Sequence, residues 1–138
     1  MTKMSKNDEN DKNVPEKDLK KRTKAFAIRI IKLVQYLNEH GPAAAKILGN
    51  AQLLRSGTGI ASNYRAACRC KSGKDFISKM GTVVEEADET QLWLELLSES
   101  GLVKSDLIKD LLQEATELTA IMTSSRNTAI KNQRNQKD

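Results

Sequence analysis

Apolar residues recur along this chain at intervals of three and four through four separate stretches, and nowhere do they alternate at every second position. That spacing lays one apolar face along an α-helix, so it predicts four helices and no strand. The first stretch runs from about Leu19 to His40, with Phe26, Ile30, Leu33 and Leu37 on one stripe and Ala27, Ile31 and Val34 beside it. Gly41 stops that helix and Pro42 starts the next, the order expected of a C-terminal glycine and an N-terminal proline. So short a junction folds the second helix back antiparallel on the first.

The second stretch, from about Pro42 to Lys71, carries apolar positions at Ile47, Ala51, Leu54 and Ala61, with Leu53, Ile60 and Tyr64 on an adjoining stripe. Gly57 and Gly59 interrupt it. Each lowers helix propensity by about 1 kcal/mol relative to Ala, so they mark a bend or the close approach of another backbone. Their small neighbours Ser56, Thr58, Ala61 and Ser62 favour close packing. Ser72-Gly73-Lys74-Asp75 then reads as a capping box opening a third helix. That helix, from about Lys74 to Glu99, is expected to bury Phe76, Met80, Val83, Ala87, Leu94 and Leu97, and Gly101 ends it. A fourth, from about Ser105 to Thr123, turns Ile108, Leu111, Ala115, Leu118 and Met122 inward. The class is all-α: an up-down-up-down antiparallel four-helix bundle over residues 19–123. Residues 1–18 are polar with no apolar period, a disordered arm. Residues 124–138 form a basic tail rich in Asn and Gln, expected to fray from the last helix.

Composition narrows this picture. At 138 residues and 38% hydrophobic content the chain makes one small domain with a single core. No stretch approaches the roughly 20 apolar residues of a membrane span. The first residues lack the apolar run of a secretory signal, so a soluble cytoplasmic protein is expected. Cys68 and Cys70, one residue apart, point in well-separated directions on a helix and read as unpaired thiols. The lone His40 has no ligand partner at metal-binding spacing, and no cofactor motif is present.

The net charge of +5 is unevenly spread. Residues 25–74 hold eight basic side chains against one acidic, whereas residues 75–121 hold eleven acidic against three basic. If each half forms a hairpin, the bundle has a basic side and an acidic side. Such a surface suits a polyanion or a second copy of the chain. Arg65 and Arg69 lie one turn apart, and Lys71 and Lys74 carry the charge past the helix end. These four are the candidates for nonspecific phosphate contacts. The same placement also favours the helix dipole. Few aromatic residues accompany them, so base stacking is weakly supported.

A second constellation has a structural reading. Gln52, Arg55, Ser56, Gly59, Ser62 and Asn63 share one face of the second helix, and Glu86 and Glu89 lie one turn apart on the third, followed by Thr90 and Trp93. Arg55 paired with one of these carboxylates would fix helix register, within a chain or across a subunit interface. No nucleophile or Gly-rich loop accompanies the two glutamates, so an enzyme is not expected.

The segments FAIRIIKLVQYL, QLLRSGTGIASNYRAACRCKSGKDFISKM and EEADETQLWLELL resemble, in order, the signature blocks of the 23S rRNA intervening-sequence protein family, over about residues 22 to 122. The chain departs from the family pattern after the Asn-Tyr pair, where Arg65-Ala66-Ala67 replaces a usual carboxylate, and at Gly59, where a Ser is common. The resemblance implies a bacterial four-helix bundle assembled as a ring-shaped homopentamer. Accessory proteins of diversity-generating retroelements are related in fold, and in those systems a basic pentamer binds a reverse transcriptase and its RNA template. By that analogy the partners are RNA or DNA, or a reverse transcriptase or other protein. The expectation is a non-enzymatic oligomeric bundle that binds nucleic acid, structured RNA first, through its basic face. The alternative is a protein-interaction scaffold or accessory subunit with no direct nucleic-acid role.

Overall fold

The computed structural model describes residues 16–137. The arm expected over residues 1–18 therefore lies outside the described residues except for 16–18, which are already helical. Helix α1 spans Glu16–His40, and its first turn holds Glu16 and Asp18, acids that suit the positive end of the helix dipole. Phe26, Ile30, Leu33, Val34 and Leu37 are buried as their spacing requires, but Ile31 is turned outward and 47% exposed. The helix stops at Gly41, whose N–H donates to Leu37 O at 2.7 Å.

The second rod is built of α2 (Ala43–Leu48), a π-helical turn (Gly49–Leu53) and α3 (Leu54–Cys68), with helical backbone at both junctions. The wider turn puts Gly49 against α1, where an added Cβ would lie 3.4 Å from Leu37 Cδ1. Asn38 and Asn50 exchange hydrogen bonds of 3.1 and 2.7 Å across the same seam. A π-turn inserts one residue into the helical repeat and so rotates every later side chain about the helix axis. The core therefore runs through Leu53, Ser56, Gly57, Ile60, Tyr64 and Ala67. The stripe expected through Ile47, Ala51, Leu54 and Ala61 is not the buried one: Ile47 is 66% exposed, Ala51 is exposed, and the other two are only partly covered. The rod also ends at Cys68 and not at Lys71, with Arg69 as its C-cap.

Helix α4 spans Gly73–Glu99, and Ser72 Oγ accepts from the Asp75 N–H at 3.0 Å, as the capping pattern requires. Met80, Val83, Ala87, Leu94 and Leu97 are fully buried, while Phe76 is only partly covered. Gly101, at φ +81°, turns the chain with open space around it, so the backbone angle and not crowding calls for glycine. Helix α5 spans Ser105–Lys137 and buries Ile108, Leu111, Ala115, Leu118 and Met122.

The expected frayed tail from Ser124 is instead helix through Lys137. Its polar sequence is held by α4, along which it continues antiparallel. Arg126 Nε donates to Ile77 O at 3.0 Å, and Gln133 lies against Gly73. The four rods make an all-α bundle with no strand among the described residues. α3 packs against both α1 and α4, and α5 against α4, whereas the seam from α1 to α5 is the least extensive.

Candidate nucleic-acid interface

At one end of the bundle the start of α1, the end of α3, the start of α4 and the far part of α5 converge around a cavity lined in part by Leu19, Tyr64, Phe76 and Ile121. From Leu118 to Arg134 the sequence contains Arg126, Lys131 and Arg134 and no carboxylate. Positive charge is thus gathered toward this end as well as along the first hairpin.

Arg65 and Arg69 are exposed there, and among the described residues neither makes an ion pair. They face two cations that the sequence pattern did not single out, Lys20 and Lys24 of α1, across a groove of about 320 Å³. The groove also presents Thr23, Thr58, Ala61, Ser62 and Ala66, and no carboxylate. Lys24 has no ion-pair partner among the described residues, while Lys20 meets Glu16 at 3.1 Å in an exposed pair, a contact of little energetic weight. Lys71 and Lys74 do not join this groove. Lys71 lines a separate cavity of about 460 Å³ with Cys68 and Cys70, and Lys74 projects from the first turn of α4, exposed. The pairing of Lys20 and Lys24 with Arg65 and Arg69 arises from hairpin register. With Asn38 opposite Asn50 and Ile30 against Gly57, positions 20 and 24 fall beside the last turns of α3. The i, i+4 spacing of both pairs was the available signal.

The second predicted constellation forms within one chain. Arg55 reaches Glu89 Oε1 at 3.2 Å and Glu86 Oε1 at 3.7 Å, and donates to Gln52 Oε1 at 3.3 Å. Asn63 donates to Gly59 O of its own helix at 2.9 Å and does not cross to α4. Gly59 makes room for Glu86: an added Cβ would lie 3.0 Å from Oε1. At the centre of the seam Ser56 and Thr90, both fully buried, share a 2.9 Å hydrogen bond that joins α3 to α4. Two other links could not be read from the sequence, since they depend on inter-helix register. Arg22 of α1 forks onto Glu114 and Glu117 of α5, and Gln91 binds Thr116 and Thr119. The thiols Cys68 and Cys70 are free and half-buried. Burial pushes up both the Cys68 thiol and the Tyr64 hydroxyl.

Glu86 carries a stability consequence. At 3.7 Å the Arg55 contact is an ion pair and not a hydrogen bond, and Glu86 Oε1 is buried with no donor. Burial, then Glu89 and Glu85, raise its pKa against the opposing pull of Arg55. A carboxyl whose folded pKa lies above its unfolded value destabilises the fold as pH rises through that window, and fully above it. The amide keeps the shape but sheds the buried charge and its repulsion by Glu89 and Glu85, so Glu86→Gln is expected to stabilise the protein by about 1 kcal/mol at neutral pH, the extra cost of a charged over a neutral unmet group. The gain should vanish where the wild-type carboxyl is protonated. Urea unfolding at acidic and neutral pH reads both. A loss at neutral pH would mean that the pull of Arg55 outweighs burial.

No functionally curated protein matches the chain. Residues 16–124 match the model of the 23S rRNA-intervening sequence protein family. Among solved structures, a crystal structure at 1.70 Å resolution of a protein of unknown function from the S23 ribosomal protein family of Bacteroides thetaiotaomicron is similar, with a TM-score of 0.72 and 31% sequence identity. The alignment covers 81% of this chain and 97% of that one.

Proposed function

The chain belongs to the 23S rRNA-intervening sequence protein family, and on that premise we propose that it is a non-enzymatic nucleic-acid-binding bundle whose ligand is structured RNA. The observation that carries the reading is the groove between α1 and α3. Four cations line it, Lys20 and Lys24 of α1, Arg65 of α3 and its C-cap Arg69, and no carboxylate does. Phosphate contacts of this kind release counterions and need no base recognition. Lys71, Lys74 and the cations of α5 from Arg126 onward extend the same positive end. Glu86 and Glu89 are engaged with Arg55, a structural employment that leaves them no catalytic task in this reading.

A second reading, self-association, rests on exposed apolar side chains with complementary surroundings. Leu92 and Leu96 of α4 are exposed among Asp88, Glu95 and Glu99, whereas Ile28 and Ile31 of α1 are exposed among Arg29 and Lys32. Such faces suit a head-to-tail homo-oligomer, in line with the ring that the family resemblance implies. A ring would repeat the basic groove around its circumference.

The test is a titration with structured RNA at low and moderate salt, on material whose mass in solution has been measured. Binding should weaken steeply with added salt, and Arg65→Glu/Arg69→Glu should lower affinity about tenfold while reducing the salt slope. Unchanged affinity in the double variant would defeat the groove assignment. If the charge reversal instead dissolves an oligomer, these arginines serve assembly and the scaffold reading gains.

A further inference from the structure

The groove between α1 and α3 holds more than cations. Three hydroxyls line it, and each gives its proton to a carbonyl of its own helix. Thr58 Oγ1 donates to Leu54 O at 2.7 Å, Ser62 Oγ to Gly59 O at 3.3 Å, and Thr23 Oγ1 to Leu19 O at 2.8 Å. A hydroxyl has one proton and two lone pairs. With the proton committed to the helix, what remains for the groove is acceptor capacity. Thr23 is buried, so Thr58 and Ser62, one turn apart on α3, are the two acceptors in reach.

These acceptors sit between charges that call for the opposite. Lys20, Lys24, Arg65 and Arg69 are donors only, matched to phosphate oxygens. A ligand that fits both sets must bring anionic oxygens to the rim and a hydrogen-bond donor to the α3 wall. A polynucleotide strand does so through its sugar. The ribose 2′-OH can donate, and deoxyribose has nothing at that position. No aromatic side chain lines the groove, so the bases are neither stacked nor read there. Resting on the nucleic-acid reading above, we infer that this groove discriminates ribose from deoxyribose, with Thr58 and Ser62 accepting from 2′-hydroxyls of a strand whose phosphates meet the four cations.

The test uses fluorescence anisotropy on the full chain with three oligouridines of one length: ribose, deoxyribose and 2′-O-methyl. Ribose should bind about fivefold tighter than deoxyribose for each acceptor engaged. The 2′-O-methyl strand, which keeps an oxygen but cannot donate, should fall to the deoxyribose level. Thr58→Val/Ser62→Ala should abolish the preference by bringing ribose binding down to the deoxyribose level. Equal, salt-sensitive binding of ribose and deoxyribose strands would overturn the inference and leave the phosphate-contact reading standing. So would oligouridine left unbound by protein that binds structured RNA. A deoxyribose affinity that falls with the hydroxyl variants would also overturn it, since the side chains would then only shape the groove. Failure to bind any of these strands or structured RNA would remove the inference together with the reading beneath it.

Discussion

Gly57→Val is expected to lose about 3 kcal/mol of stability, and Gly57→Ala about 1 kcal/mol, both through overpacking of a well-filled core. A Cβ at position 57 would lie 2.8 Å from Ile30 Cγ1, 2.9 Å from Cγ2 and 3.2 Å from Cβ. They are the Cβ branch point and the two carbons it carries, all fixed by χ1 and not part of the mobile ethyl end. A β-branched residue on a helix has one strongly preferred χ1, and Ile30 is itself fully buried. The clash can therefore be relieved only by moving α1 and α3 apart. On an exposed helix Gly→Ala would gain about 1 kcal/mol from propensity, which is why the alanine loss is the smaller one. Equilibrium denaturation of Gly57→Ala, Ile30→Ala and the double variant forms a cycle. Removing the Ile30 branch should make alanine at 57 neutral or favourable, with a coupling above about 1 kcal/mol. If Gly57→Ala alone stabilises the fold and the cycle shows no coupling, close helix approach is not what glycine serves here.

That glycine was legible in the sequence, as were the features whose cause is local. The stripe Phe26, Ile30, Leu33, Leu37 repeats without interruption and is buried as read. The Ser72 cap and the turn at Gly101 depend on the chemistry of one or two residues and stand where expected. The features that escaped have causes distant in sequence. The π-turn at Gly49–Leu53 fits a glycine against Val34 and Leu37, and nothing in GNAQL itself announces it. It shifts the helical phase, and Ile47, apolar and well spaced, ends outside the core. The residues after Ser124 read as tail because they are polar. They are helix because α4 offers Ile77 O and the flank of Gly73 along their path. The candidate site divides in the same way. Arg65 and Arg69 could be paired by their spacing on one helix. Lys20 and Lys24 reach them only through the register of the hairpin, and Lys71 and Lys74, closer in sequence, are parted from the groove by the end of α3.

Arg22→Ala is expected to cost about 2–3 kcal/mol at neutral pH, because Arg22 bridges the least extensive seam of the bundle. Its Nε donates to Glu114 Oε2 at 2.7 Å, and one terminal nitrogen donates to Glu114 Oε1 at 2.9 Å and to Glu117 Oε1 at 2.7 Å. The Glu114 side chain is only 18% exposed, so truncation of Arg22 leaves a largely buried carboxylate without its partner. The Arg22 side chain is one-third exposed, and Glu117 is more so. This exposure holds the expected loss below that of a fully buried pair. Arg22→Lys should recover little of it, since an ammonium cannot fork across both carboxylate oxygens.

The pH dependence separates charge from packing. Glu117 is held below the usual carboxylate range by its hydrogen bond from Gln113 and by Arg22, against the opposing effect of burial. A depressed folded pKa contributes stability that is present above the unfolded value and lost as pH falls through the folded one. Arg22 itself, raised chiefly by its hydrogen bond to Glu114, stays charged throughout. The gap in stability between wild type and Arg22→Ala should therefore be full near neutrality and shrink as Glu117 protonates in acid. Urea unfolding of both proteins across that range measures it. A gap that stays constant with pH would assign the loss to the aliphatic stem of Arg22 lying on the α1–α5 seam, and the fork would then hold register without adding stability.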